Sequence, residues 1–78
     1  MKETLHYIIT LLVDAPDAVE ISEVEEEGTI YFSIIVAKDD MGKIIGKEGK
    51  VIRSIRNIMK VLAMKQNKRI NISLAENA

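Results

Sequence analysis

The sequence predicts an α+β domain ordered helix-strand-strand-helix-helix-strand, with three helices on one face of a three-stranded mixed sheet. That expectation rests on three features. Apolar residues recur at helical spacing near the N-terminus, alternate through the middle of the chain, return to helical spacing, and alternate again near the C-terminus. A Gly-Lys-Glu-Gly tetrapeptide at 46–49 divides the second helical region in two. A chain of 78 residues has room for one core, so every element must share it. We therefore read 1–78 as one domain with its core over about 2–75, and find no internal repeat, linker or low-complexity tract.

Leu5, Ile8, Ile9, Leu12 and Val13 follow the i, i+3, i+4, i+7 rule, giving an amphipathic helix over 2–13. Asp14-Ala15-Pro16-Asp17 ends it, because Pro16 disfavours helical geometry at Ala15. Val19, Ile21 and Glu23 alternate with Glu20 and Ser22 as a strand with one wet face. The run 25–29, Glu-Glu-Glu-Gly-Thr, reads as a hairpin turn in which Gly28 takes positive φ. The strongest strand signal covers 29–37, with Ile30, Phe32, Ile34 and Val36 on one face. Tyr31, Ser33, Ile35 and Ala37 occupy the other, where Ile35 suggests partial cover.

Asp39 or Asp40 should cap a short helix through Met41, Lys43, Ile44 and Ile45. After the glycine turn a second helix runs from about 49 to 65, with Val51, Ile52, Ile55, Ile58, Met59, Leu62 and Ala63 on its apolar arc. Lys50, Arg53, Arg56, Asn57 and Lys60 form the opposite, basic arc, and Val61 and Met64 fall on that wet side. Gln66-Asn67-Lys68 is a turn; Ile70, Ile72 and Leu74 then alternate with Asn71 and Ser73 as the last strand, and 76–78 should fray. The link between the second and third strands holds two helices, which suits a crossover and makes the sheet mixed.

Composition excludes several classes. There is no cysteine, so no disulfide or thiolate chemistry is available. No apolar run approaches the roughly 18–20 residues that span a bilayer, and Met1-Lys2-Glu3-Thr4 does not open a signal peptide, so cytoplasm is the expected compartment. The net charge of −1 hides a division: residues 1–37 carry one Lys and eight Asp/Glu, a formal −7, while 38–78 carry ten Lys/Arg and four Asp/Glu, a formal +6. Either the halves pair their charges across the fold, or the chain presents a basic working face. His6 has no second His, Cys or paired carboxylate beside it, which favours an ordinary packed or surface histidine over a ligand. No Ser adjoins an evident base and the carboxylates cluster only in the hairpin, so no enzyme, metal, cofactor or small-molecule substrate is expected.

The chemistry concentrates in Ile44-Ile45-Gly46-Lys47-Glu48-Gly49-Lys50-Val51-Ile52. Glycines there allow a sharp turn and close approach, and Gly49 should leave N–H groups free at a helix start, where anions and phosphates are favoured. Flanking aliphatics place an apolar groove or core beside that anion site. It is not a P-loop, because Gly42 and Gly46 stand three residues apart and Glu48 follows Lys47. Nor do Gly42, Gly46 and Gly49 have the spacing of the dinucleotide fingerprint.

The same stretch resembles the signature of KH domains, in which Ile-Gly-x-x-Gly-x-x-Ile joins two helices. An extra helix and strand before the core resembles the prokaryotic type II arrangement, and a lone domain of this length is similar to the small bacterial RNA-binding proteins of the KhpA family. That resemblance spans the chain. It implies a loop that clamps about four unpaired nucleotides beside a groove for their bases. Carried onto this sequence, Gly46, Lys47, Glu48 and Gly49 touch phosphates, Lys50 and Arg53 neutralise them, and Ile45 and Val51 line the groove, with Ile52 as core beneath. Lys65, Lys68 and Arg69 match the variable loop and close the far side. Glu48 departs from the pattern: either its carboxylate caps the next helix or the loop binds only modestly.

The function this implies is cytoplasmic single-stranded RNA binding with little sequence preference, as an RNA chaperone or post-transcriptional regulator. Family resemblance also implies a homodimer, or a heterodimer with a larger KH-containing protein. The alternative is a protein–protein adaptor or dimerisation module with secondary RNA binding, using Val61, Met64 or the acidic hairpin. Exchanging Gly46 and Gly49 for Asp is expected to remove RNA binding and spare the fold.

Overall fold

The computed structural model describes residues 1–76, and within them the expected order of elements is present: α1 (Lys2–Leu12), β1 (Glu20–Glu26), β2 (Thr29–Val36), α2 (Met41–Ile45), α3 (Lys50–Lys65) and β3 (Arg69–Glu76). Short 3₁₀ turns at Pro16–Ala18, Lys38–Asp40 and Lys47–Gly49 join them. The sheet order is β1-β2-β3, with β1 antiparallel and β3 parallel to the central β2. The helices cover one face, and a smallest extent of 17 Å leaves depth for those two layers only.

Phe32 at the middle of β2, 1% exposed, is the centre of the core. Leu5 and Ile9 of α1, Ile44 of α2, and Ile52, Ile55, Met59 and Ala63 of α3 are buried above the sheet with Ile30, Ile34, Val36 and Ile72. These are the apolar arcs expected from periodicity, with two departures. Leu12, in the last turn of α1, and Ile58, at the edge of the apolar arc of α3, stay 37% and 50% exposed.

The hairpin is tighter than expected. β1 continues to Glu26, and the turn is only Glu27-Gly28, both at positive φ (50° and 78°), the requirement of a two-residue hairpin that matches strand twist. The chain therefore keeps Glu25 and Glu26 in the ladder, where cross-strand hydrogen bonding offsets crowding of like charge. Lys68 lends a counter-charge to Glu25 at 2.6 Å.

The expected capping by Asp39 or Asp40 does not occur. Asp40 occupies the N-cap position of α2 but its buried carboxylate points back to α1, accepting hydrogen bonds from Asp14 N and Ala15 N, each 3.1 Å. Lys43, one turn on, pairs with both Asp14 and Asp40. The clasp anchors α2, whose five residues are too few to hold helical form unaided. At the other end of the helical layer, α3 closes on Asn67 at φ 58°, with Lys68 N donating to Ala63 O and Asn67 N to Met64 O. Those are the paired bonds of a Schellman cap. Arg69 N then donates to Gly28 O, fixing the start of β3 against the hairpin. Of the three terminal residues expected to fray, Glu76 lies in β3, and Asn77 and Ala78 lie outside the described residues.

Candidate nucleic-acid interface

Between α2 and α3 the chain turns through Gly46 (φ 74°, ψ 176°), Glu48 (φ 59°) and Gly49 (φ 74°), so no continuous helix bridges the motif. Gly46 has an extended ψ at positive φ, a region essentially reserved to glycine. A Cβ there would sit 2.3 Å from Val51 Cγ2 and 2.9 Å from Val51 N, whereas one at Gly49 meets nothing nearer than Arg53 Nη2 at 4.0 Å. The first glycine is thus demanded by packing, the second by conformation alone. Lys47, Glu48 and Lys50 are exposed, Ile45 is 38% exposed, Val51 is half-buried and Ile52 is core, as expected for it.

The main-chain donors are less free than the sequence suggests. Gly49 N donates to Gly46 O at 3.2 Å and Lys50 N to Lys47 O. Among the described residues the N–H groups of Lys47 and Glu48 have no main-chain acceptor in the turn. Glu48 makes no side-chain cap to α3. Its carboxylate instead lies 3.9 Å from Lys50 Nζ, an exposed pair that solvent screens heavily, and its carbonyl accepts Arg53 Nη2 at 3.3 Å. Arg53, itself exposed, therefore braces the loop.

Arg53 also begins a flank of α3 that continues through Arg56, Asn57, Lys60 and Met64. That flank from Arg56 onward faces β3 across a groove of about 680 Å³, whose other wall is Lys68, Arg69, Ile70, Asn71 and Ile72. β3 is an edge strand. Ile72 O, turned away from β2, accepts Arg56 Nη2 at 3.3 Å, so main-chain groups as well as cations border the groove. Among the expected secondary contacts Lys68 and Arg69 are in this wall, although Lys68 is already paired with Glu25, and Lys65 is not in it. Ile45 and Val51 flank the glycine turn rather than the groove itself. Sequence reasoning placed Arg56, Asn57 and Lys60 on a wet arc without seeing what they face, and missed Ile70, Asn71 and Ile72. Their only sequence signal was the spacing of cations along α3, and the opposing wall depends on tertiary placement. Met64, read as a contact for another protein, lines the groove.

His6 is exposed and, among the described residues, no group of acidic or histidine side chains could hold a metal ion. No described helix is long and apolar enough to cross a membrane.

A helix-glycine turn-helix unit set above a mixed sheet, opening on a cation-lined groove at the parallel edge strand, defines a KH domain of the type II order. The family described as KhpA/KhpB, KH domain, matches residues 2–74, and the chain belongs to that family. The RNA-binding protein KhpA of Chlamydia pneumoniae is 47% identical, over 97% of this chain and 97% of its own. That of Clostridium acetobutylicum is 45% identical over 95% and 99% respectively. Among solved structures, Aquifex aeolicus Era Y63A bound to GDP and aluminium fluoride superposes with TM-score 0.66 at 18% identity, over 96% of this chain and 29% of Era. Era in complex with MgGDPNP and nucleotides 1506–1542 of 16S ribosomal RNA gives TM-score 0.61. At that identity the likeness is one of fold.

Proposed function

We propose that this chain is a cytoplasmic single-stranded RNA-binding protein, one KH domain over 1–78, acting as an RNA chaperone or post-transcriptional regulator. Lys47 and Glu48 N–H groups and the glycine backbone at 46–49 receive phosphates, Lys50 and Arg53 supply charge, and Ile45 and Val51 border the entry. Bases lie along the α3–β3 groove, with Arg69 and Lys68 at its far end. The reading is supported by one observation above all: the solvent-facing kink lies at the start of the α3 flank whose cations wall an open groove. Relatives named RNA-binding proteins over nearly their whole length support it independently. Few cations are in reach and Glu48 opposes them, so a lone domain binds weakly and salt-sensitively. Pairing with a second copy, or with a larger KH-containing protein, compensates through effective concentration.

Titration with short unpaired RNA while following amide shifts tests the site directly. Shifts should cluster at 45–53 and along 56–72. Gly49→Asp is the informative variant, because open space surrounds that position whereas Gly46→Asp would drive into Val51. It should weaken binding by about tenfold or more, and full RNA retention by the folded variant removes the loop from the site.

A protein–protein adaptor is the second reading. It is favoured by Ile58 and Val61, 50% and 54% exposed on α3 and not part of the groove wall. Crosslinking to RNA in cells and sizing with and without nuclease separates the two: a partner kept after nuclease, with no crosslinked RNA, favours the adaptor.

A further inference from the structure

The sheet face turned away from the helices is open, and we propose that it lengthens the RNA path: a nucleotide leaving the groove crosses β3 and stacks its base on Tyr31. This rests on the reading of the groove as an RNA site. Strand register places Glu26, Thr29 and Arg69 in one row of the open face and Val24, Tyr31 and Asn71 in the next. Ser22, Ser33 and Ser73 follow, then Glu20, Ile35 and Ala75. Tyr31 is the one aromatic residue of that face, on its central strand and 43% exposed.

An exposed tyrosine opposite Val24 is by itself an ordinary strand pairing. What sets it apart is continuity. Arg69 and Asn71 belong to the open-face rows and also wall the groove, so the two surfaces meet along β3. Tyr31 lies one strand in from that wall, roughly 5 Å, and Asn71 is its register partner. Beside it the hydroxyls of Ser33 and Ser73 are turned on each other at 3.3 Å, and Ser73 also donates to Phe32 O. Short side chains that satisfy one another leave room over the ring.

Charge selects the same route. Among the described residues Arg69 is in no salt bridge, so its charge is available to a backbone phosphate at the crossing. Glu20 and Glu26 sit on β1, two strands from β3, roughly 10 Å and thus about one screening length away at physiological salt. They confine an anionic strand to the β2–β3 half. Aromatic residues on open sheets hold bases by stacking, with little regard to sequence.

The protein has no Trp and two Tyr, so in a Tyr7→Phe background Tyr31 is the sole fluorophore that base stacking can quench. Oligoadenylates of four and eight nucleotides are titrated, the shorter filling the groove alone. The octamer should quench Tyr31 and the tetramer should not. Tyr31→Ser should weaken octamer binding about tenfold, with the loss confined to the octamer, and Tyr31→Phe should keep the wild-type affinity. Equal octamer affinity for wild type and Tyr31→Ser, or an unquenched Tyr31, overturns the extension while leaving the groove. Failure of the wild type to bind either oligonucleotide overturns the groove reading and the extension together.

Discussion

Two glycines of one motif carry different physical burdens. At Gly46 a methyl group would press within 2.3 Å of Val51 in a backbone region other residues avoid, so Gly46→Ala should cost about 2–4 kcal/mol in a urea titration. At Gly49 the space is open and the left-handed conformation is the sole penalty, about 1 kcal/mol for Gly49→Ala. Sequence alone ranks the two equally, because the neighbour that separates them, Val51, is brought back by the kink itself. Asp40 was legible as a helix-capping type and not as what it is, since its partners lie 25 and 26 residues away. Hydrogen bonds from Asp14 N chiefly, then Ala15 N and Lys43, hold its carboxyl below the ordinary 3.8, although burial pulls the other way. A depressed native value means the clasp stabilises the fold above pH 3.8 and is lost as pH falls through that lower value. Asp40→Asn should therefore melt several degrees below wild type at neutral pH, and the two curves should converge on acidification. At the alkaline end Lys43, raised above 10.5 first by its hydrogen bond to Asp14, keeps its charge until beyond that value.

α3 does two jobs because a helix has more sides than one contact covers. Its stripe of Ile52, Ile55, Met59 and Ala63 seals the core, and Met59→Ala should cost about 2–5 kcal/mol as any fully buried truncation does. One flank of it serves the groove. Lys60→Ala should raise the RNA dissociation constant uniformly across sequences and reduce the slope of log affinity against log salt by about 0.7, with no change in urea midpoint. Periodicity disclosed the stripe and the cations, because both repeat every three or four residues. It could not disclose the groove, because the opposing wall is an edge strand supplied by the C-terminal end of the chain. The other flank explains the misplaced Ile58: its angle on the helix lies between core and solvent, so half of it stays exposed.

Across the whole molecule the charge division is spatial as well as sequential. Carboxylates line β1 and its turn, cations line α3 and the start of β3, and Lys68 to Glu25 is the bridge between them. The sequence offered mutual pairing or a basic face, and the fold combines them, since Lys68–Glu25 and Lys43–Asp14 pair the halves while a cation-lined groove stays open. Glu25, Glu26 and Glu27 exchanged together for Gln should speed RNA association roughly threefold at low salt, an advantage that disappears near 1 M. Element order was readable throughout, because each run kept one period, and so was the hairpin with Gly28 at positive φ; its tightness was not, because three like charges disguised the ladder residues Glu25 and Glu26. Those carboxylates have a bearing on storage and handling. The outer rim of the sheet is a bare row of amides with no proline or bulge along Glu20–Glu26, kept from its own kind by repulsion. Ionic strength near 1 M screens that repulsion to within about 3 Å, and concentrated solutions should then zip rim to rim into ribbons that take up amyloid dyes and dissolve again on desalting.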